Sequence, residues 1–190
     1  RGAIPFAEFS EPWFREIDFR FLIRDAGPVV PSDKEPFDSL IPYESLGDRD
    51  VLEVGVGCGS HAELLTRRAK SYTGIDLTPY AVECTRRRFQ TFGLKGRVHE
   101  MDVEELQFED ASFDFVWSWG VVHHTANTGR ALSEIARVLR PGGTFVAMVY
   151  HRSFWNTYVR GALFHGILKG GLLRGKSLNR VIQDSTDGAL

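Results

Sequence analysis

The chain has 190 residues, 43% of them hydrophobic and 25% charged, with a formal net charge of −2. That is the profile of an ordinary globular protein long enough for one α/β domain with a sizeable core. It provides no global basic field to hold nucleic acid, and no apolar run reaches the ~18 residues of a membrane-spanning helix.

Residues 1–49 read as an N-terminal helical and loop cap, punctuated by Pro5, Pro12, Pro28, Pro31, Pro36 and Pro42. One regular element fits between them. Ser10 can cap a helix whose first turn holds Pro12 and which runs to about Asp25. Phe14, Ile17, Phe21 and Phe19 would be its apolar side, flanked by Arg15, Arg20 and Arg24. Such a helix packs over a sheet or forms a lid over a small apolar substrate. Residues 26–49 then form a loop with one short helix around Phe37 to Ile41.

Val51 to His61 (VLEVGVGCGSH) is the most informative stretch. Val51-Leu52-Glu53-Val54 reads as a short strand buried on both faces. Gly55, Gly57 and Gly59 follow at every other position, and glycine tolerates positive φ and close approach of a ligand to backbone. From Ser60 the apolar residues Ala62, Leu65 and Ala69 fall at helical spacing. Strand, glycine turn and helix together should aim free N–H groups and a positive helix end at one spot. The spacing is GxGxG, without the Gly-Lys-Ser/Thr ending of a P-loop; a dinucleotide fingerprint would need Ser60 as its third small residue.

Further along, Ser71 to Ile75 reads as a second strand ending at Asp76, about 20 residues beyond the glycine turn, where a carboxylate can accept both hydroxyls of a ribose. Thr78 and Pro79 open a helix over about 79–92 as N-cap and first-turn proline. Its run Arg86-Arg87-Arg88 reads as a solvated face. A third strand, Arg97 to Met101, closes on Asp102, and a fourth, Phe113 to Ser118, leads into Trp119. A helix from about Asn127 to Leu139 presents Leu132, Ile135, Ala136 and Leu139 as its buried stripe. Pro141-Gly142-Gly143 should stop that helix, and Thr144 to Tyr150 form a fifth strand. The βαβ alternation predicts a Rossmann-like, doubly wound parallel sheet with helices on both faces, and ligands beyond the strands' carboxyl ends.

Glu53, Gly55, Gly57 and Gly59 fit the E-x-G-x-G-x-G signature of the class I S-adenosylmethionine-dependent methyltransferases without a gap. FDFVWS and LRPGGTF resemble two further segments of that family. The resemblance covers roughly residues 49–152 and implies a core at 50–152 that binds S-adenosylmethionine and releases S-adenosylhomocysteine. By that likeness Glu53, Gly55, Val56, Gly57 and Gly59 form the cofactor turn. Asp76 would take the ribose, Leu77 would lie against adenine, and Asp102 with Val103 would meet the adenine amine. Backbone near Ser118 and Trp119 would face the methionine amine. The implied reaction is in-line methyl transfer to a small, apolar or aromatic acceptor. His123 and His124, following strand four, are the candidate general bases; Tyr150 and His151 stand behind them. No metal is expected, because adjacent histidines project apart and a third ligand is not evident.

The family's sheet normally has seven strands, and five are visible here. The chain begins at Arg1 and stops in DSTDGAL, which reads as a fragment; a chain ending at Leu190 would leave strand five as an exposed edge unless residues 153–190 or another subunit covered it. Residues 153–190 form a basic, aromatic segment expected as a truncated helical insertion that helps cover the substrate pocket. Contact of 153–183 with a membrane surface is the alternative. Cys58 and Cys84 provide neither a disulfide framework nor zinc spacing, and no signal peptide is apparent, so reduced thiols and a cytoplasmic location are expected. Two other functions stay open: a non-catalytic cofactor-binding scaffold and an NAD-dependent oxidoreductase.

Overall fold

A computed structural model describes residues 3–25, 35–149 and 175. Its strands are β1 (Asp50–Val54), β2 (Ser71–Asp76), β3 (Arg97–Glu100), β4 (Phe113–Trp119) and β5 (Leu139–Met148). The helices are α1 (Glu11–Asp25), α2 (Ser60–Thr66), α3 (Pro79–Phe92) and α4 (Thr128–Val138). All strand pairs are parallel, in the order β3-β2-β1-β4-β5. The order reverses at β1, which pairs with β2 on one side and β4 on the other, so a crevice opens there at the carboxyl ends. This is the Rossmann-like sheet expected. The chain divides into two compact units, 1–148 and 149–190, and the description concerns the first. The segment 153–190, Tyr150 and His151 lie outside the described residues, apart from residue 175.

β1 is buried on both faces, which is why its sequence lacks polar alternation. On one face Val51, Tyr72, Phe115 and Trp117 pack with Ala62 and Leu65 of α2 and Val82 and Phe89 of α3. On the other, Leu52, Val54, Ile75 and Val116 meet Ala131, Ile135 and Val138 of α4. α3 keeps the predicted ends, with Pro79 in its first turn and Gly93 at φ 63° closing it.

Several expectations are corrected. The α4 stripe is Ala131, Ile135 and Val138, while Leu132 and Ala136 are exposed. α4 ends at Val138, and the strand starts at once: Leu139 pairs with Phe113, and pairing resumes with Thr144 against Phe115. Pro141-Gly142-Gly143 therefore lies in a bulge within β5, with Gly142 at φ 80°. Arg140 pins that corner by donating to Asp50 and Asp114. The short helix expected around Phe37 to Ile41 is a single turn, followed by a 3-10 helix at Tyr43–Asp48.

α1 packs against α3 and α2, the helix layer beside the glycine turn. Ser10 caps it as expected, accepting from Trp13 N–H. Trp13 and Phe14 are buried, whereas Phe19 is exposed. Arg88 overturns the reading of the basic run. It is wholly buried and pairs with Asp18 of α1 and Glu63 of α2, both at 2.9 Å. Arg87 stays exposed against Glu83, and Arg86 donates to Val98 O.

Candidate functional site

The turn from Gly55 to Gly59 joins β1 to α2 with all three glycines at positive φ, 83°, 52° and 78°. It does not present the row of free amides that the strand–turn–helix pattern suggests. Gly55 N–H and Val56 N–H both donate to Ile75 O, and Gly59 N–H donates to Val56 O. The chain folds back over the end of β2, and that contact uses the amides. Gly57 N–H donates to Asp76 Oδ2 at 3.1 Å, so the turn and the second strand's terminal carboxylate meet directly. The glycines differ in what surrounds them. A Cβ on Gly55 would lie 2.2 Å from Val121 Cγ2, and one on Gly59 would press on Arg88 and Thr85. A Cβ on Gly57 would meet nothing within 4 Å. Gly57 is thus where the turn faces open space.

Asp76 is held in place by local bonds. Its Oδ1 accepts from Thr78 N–H at 2.9 Å and from the Thr78 hydroxyl at 2.8 Å. The Thr78 hydroxyl therefore serves Asp76 rather than capping α3. Leu77 beside it is 67% exposed, an apolar surface unusual for a leucine at a strand end and open to a flat ring. Asp102 is exposed and accepts from Glu104 N–H, whereas the Val103 side chain belongs to the core, leaving only its backbone to a ligand. Ser118 is wholly buried at the end of β4, and its Oγ has no hydrogen-bond partner.

Glu53 lies under the turn, 1% exposed. Its Oε2 accepts from the Tyr72 hydroxyl at 2.6 Å, its Oε1 has no hydrogen bond, and His61 Nδ1 lies 3.9 Å from Oε1. Burial pushes the Glu53 carboxyl up to about 8, the hydrogen bond from Tyr72 opposes this, and the Asp76 charge adds to it. His61 is packed among rings: Phe21 at 4.8 Å, Phe37 at 4.9 Å and Trp117 at 5.1 Å between centroids. Trp117 and Trp119 stack at 5.2 Å, and their indole N–H groups are buried without hydrogen bonds. Tyr72, His61, Phe37 and Trp117 were not among the sequence candidates. His61 alone had a signal, standing in the first turn of the helix that follows the glycines.

Val121, packed on Gly55, carries the chain from β4 over the turn. The 3-10 helix Val122–His124 follows directly, so both histidines sit beside the rim. The ring nitrogens of His123 are buried, while His124 is exposed, so one of the pair points inward. Elsewhere a depression of about 530 Å³ is lined by Thr66, Arg67, Arg68, Gly93, Leu94 and Lys95. It lies at the far ends of α2 and α3, away from the glycine turn.

Residues 52–147, half of the chain, match the protein family described as Methyltransferase domain. The chain belongs to that family. As a methyltransferase-domain protein it is 41% identical over 102 residues to the phthiotriol/phenolphthiotriol dimycocerosates methyltransferase of Mycobacterium tuberculosis (strain ATCC 25177 / H37Ra), covering 53% of this chain and 37% of that protein. It is 41% identical over 127 residues to the fatty-acid O-methyltransferase of Mycolicibacterium smegmatis, covering 63% of this chain and 46% of the relative. Among solved structures, SAM-dependent methyltransferases from Methanosarcina mazei match with a TM-score of 0.54 and 26% identity, over 65% of this chain and 63% of that one. The matched region thus spans less than half the length of the two curated relatives. No helix among the described residues is long and apolar enough to cross a membrane.

Proposed function

We propose that this methyltransferase-domain protein transfers a methyl group from S-adenosylmethionine to a small, apolar acceptor. The observation that carries the reading is the meeting of Gly57 and Asp76: an open backbone position and a fixed carboxylate, bonded at 3.1 Å, at the point where strand order reverses. Asp76 would exchange its bond to the Gly57 amide for the ribose hydroxyls. Leu77 would take one face of adenine, with Asp102 and the Val103 backbone at its amine. Gly55, Val56, Gly57 and Gly59 shape the bed. The Glu53 carboxyl, whose Oε1 accepts no hydrogen bond, suits a cationic ammonium, and the ends of β4 at Ser118 and Trp119 complete that side.

When bound, the cofactor supplies a methyl already activated on sulfur. The protein's share is then alignment and exclusion of water, which account for much of the acceleration in such a transfer. The half-buried rings of Phe21, Phe37 and Trp119 support an apolar acceptor, as does the likeness to a fatty-acid O-methyltransferase. His123 would take the acceptor's proton where one must leave. Free Cys58 and Cys84 support a reducing, cytoplasmic setting.

Titration calorimetry with S-adenosylhomocysteine and with NAD tests the cofactor, and transfer of labelled methyl to free fatty acids and a lipid extract tests the reaction. Binding of S-adenosylhomocysteine with label in the lipid fraction is the expected outcome. Binding of NAD alone would make the protein an oxidoreductase, and silence with every acceptor would leave a scaffold.

A further inference from the structure

The two cysteines of the chain lie where the glycine turn meets α3, Cys58 on the turn and Cys84 on the helix. Cys58 stands between Gly57 and Gly59 and is half-buried; Cys84 is wholly buried on α3. Both pack in the cluster formed with Trp13 and Phe14, and each thiol is near enough to shift the other's ionisation. α3 holds the turn at two further points. The Thr85 hydroxyl donates to Gly57 O at 3.1 Å, and Arg88 Nε donates to Cys58 O at 2.8 Å. The turn is therefore fastened to one face of α3, and the only two thiols in the sequence lie at the fastening.

We propose that Cys58 and Cys84 form an oxidant-accepting pair: a hydroperoxide converts them to a disulfide that draws the glycine turn against α3 and lowers affinity for the cofactor. The second half of this rests on the reading of the turn as the cofactor's seat. Cys58 is the attacking group, because the Cys84 thiol beside it and the nearby Arg88 charge hold its thiol below the usual range, against the effect of burial. The Cys58 thiolate attacks the hydroperoxide's terminal oxygen. An S–O bond forms, the O–O bond breaks, and the departing oxygen leaves as water or alcohol after taking a proton. Cys84 sulfur then attacks the Cys58 sulfenic sulfur. The S–S bond forms, the S–O bond breaks, and water leaves with the Cys84 proton. Two thiols are oxidised and one peroxide is reduced.

The covalent bond is shorter than the contact it replaces. The two sulfurs, not bonded in the reduced protein, must close to about 2.05 Å. Gly59 is hemmed in by Arg88 and Thr85, so the movement is taken up at Gly57, where a side chain would meet no atom and only the Thr85 bond to its carbonyl must give. That displaces the amide now bonded to Asp76.

The test uses the full chain, reduced, desalted and then treated with hydrogen peroxide. Intact mass and peptide mapping read the cross-link, and calorimetry with S-adenosylhomocysteine reads the site. The mass should fall by two hydrogen atoms, with a Cys58–Cys84 peptide pair. Affinity should fall by about tenfold or more and return with dithiothreitol. Cys84→Ala should instead halt at a sulfenic acid on Cys58 that dimedone traps. Two thiols still titratable after peroxide, or a cross-linked dimer, overturn the pair. A cross-link that leaves affinity unmoved overturns its coupling to the site. If the cross-link forms in a chain whose reduced form takes no S-adenosylhomocysteine, the pair stands and the cofactor reading falls.

Discussion

Arg88 Nη1 and Glu63 Oε2 lie 2.9 Å apart with the guanidinium fully buried, and the same guanidinium reaches Asp18 of α1. Arg88 also donates to the backbone of the glycine turn at Cys58 O and stands 4.6 Å over the Phe14 ring. One side chain thus ties α1, α2, α3 and the turn together. Burial acts to raise the Glu63 carboxyl, but hydrogen bonds from Arg67, Arg88 and Arg15 prevail and hold it below its usual range. The desolvation of the charge is offset because each of the three guanidinium nitrogens donates, in four hydrogen bonds.

Arg88→Leu should therefore destabilise the protein strongly. It removes one partner from a buried cluster and strands Asp18 and Glu63 with the partly exposed Arg15 and Arg67. Breaking such a pair costs about 3–5 kcal/mol. Urea unfolding should show the lowered midpoint, and limited proteolysis should cut first in α1. Unchanged stability would mean that α1 is held by Trp13 and Phe14 alone.

Gly55 and Gly57 should separate structure from binding. Gly55→Ala places a methyl 2.2 Å from Val121 in a residue at φ 83°, so backbone must move and stability should fall. Gly57→Ala meets no atom within 4 Å and pays only the left-handed backbone penalty, roughly 1–2 kcal/mol. Its methyl instead occupies the space proposed for the ligand. Thermal melts and calorimetry with S-adenosylhomocysteine should show Gly57→Ala folded with weakened binding. Intact affinity in that variant would remove Gly57 from the site.

The strands and α3 were legible because their signals are local: two-sided apolar runs, a first-turn proline, a terminal glycine. Asp76 at a strand end beside a glycine turn was legible for the same reason. Arg88 was not, since its burial depends on Asp18, 70 positions away, arriving on a separate helix. The only local hint was that Ala81, Cys84, Thr85 and Arg88 share one buried stripe. On α4, residue size misdirected the reading: Leu132 points outward while small Ala131 fills the tight place against the sheet. Pro141-Gly142-Gly143 carries the same residues whether it caps a helix or bulges a strand, and the tether from Arg140 to Asp50 and Asp114 decided it.

Glu53 should leave a mark on stability against pH. Its folded-state value of about 8 exceeds the ordinary carboxyl value of 4.5, so the folded protein holds a proton that the unfolded chain has released across that window. Stability contributed by this group is full below about 4.5 and declines as pH rises toward 8. Glu53→Gln cannot ionise and should flatten the decline. Denaturant midpoints at pH 5.5 and 8 for both proteins check this; parallel slopes would mean that Glu53 ionises freely in the fold.

His123 and His124 stand with ring centroids 4.1 Å apart, yet only one turns its nitrogens inward. A proton-accepting role needs reach to the acceptor, and the β4 connection carries His123 past Gly55 toward the rim, whereas His124 faces solvent. His123→Ala should therefore lower kcat by about a hundredfold, the lower end for loss of a general base. Affinity for S-adenosylhomocysteine should hold, because Asp76 and the turn are fixed by Gly57, Thr78, Ile75 and Val56. His124→Ala should leave kcat near that of the parent. Single-turnover rates with saturating cofactor measure the chemical step for all three proteins. Equal rates in His123→Ala and parent would show that alignment suffices and that the acceptor gives up its proton to water.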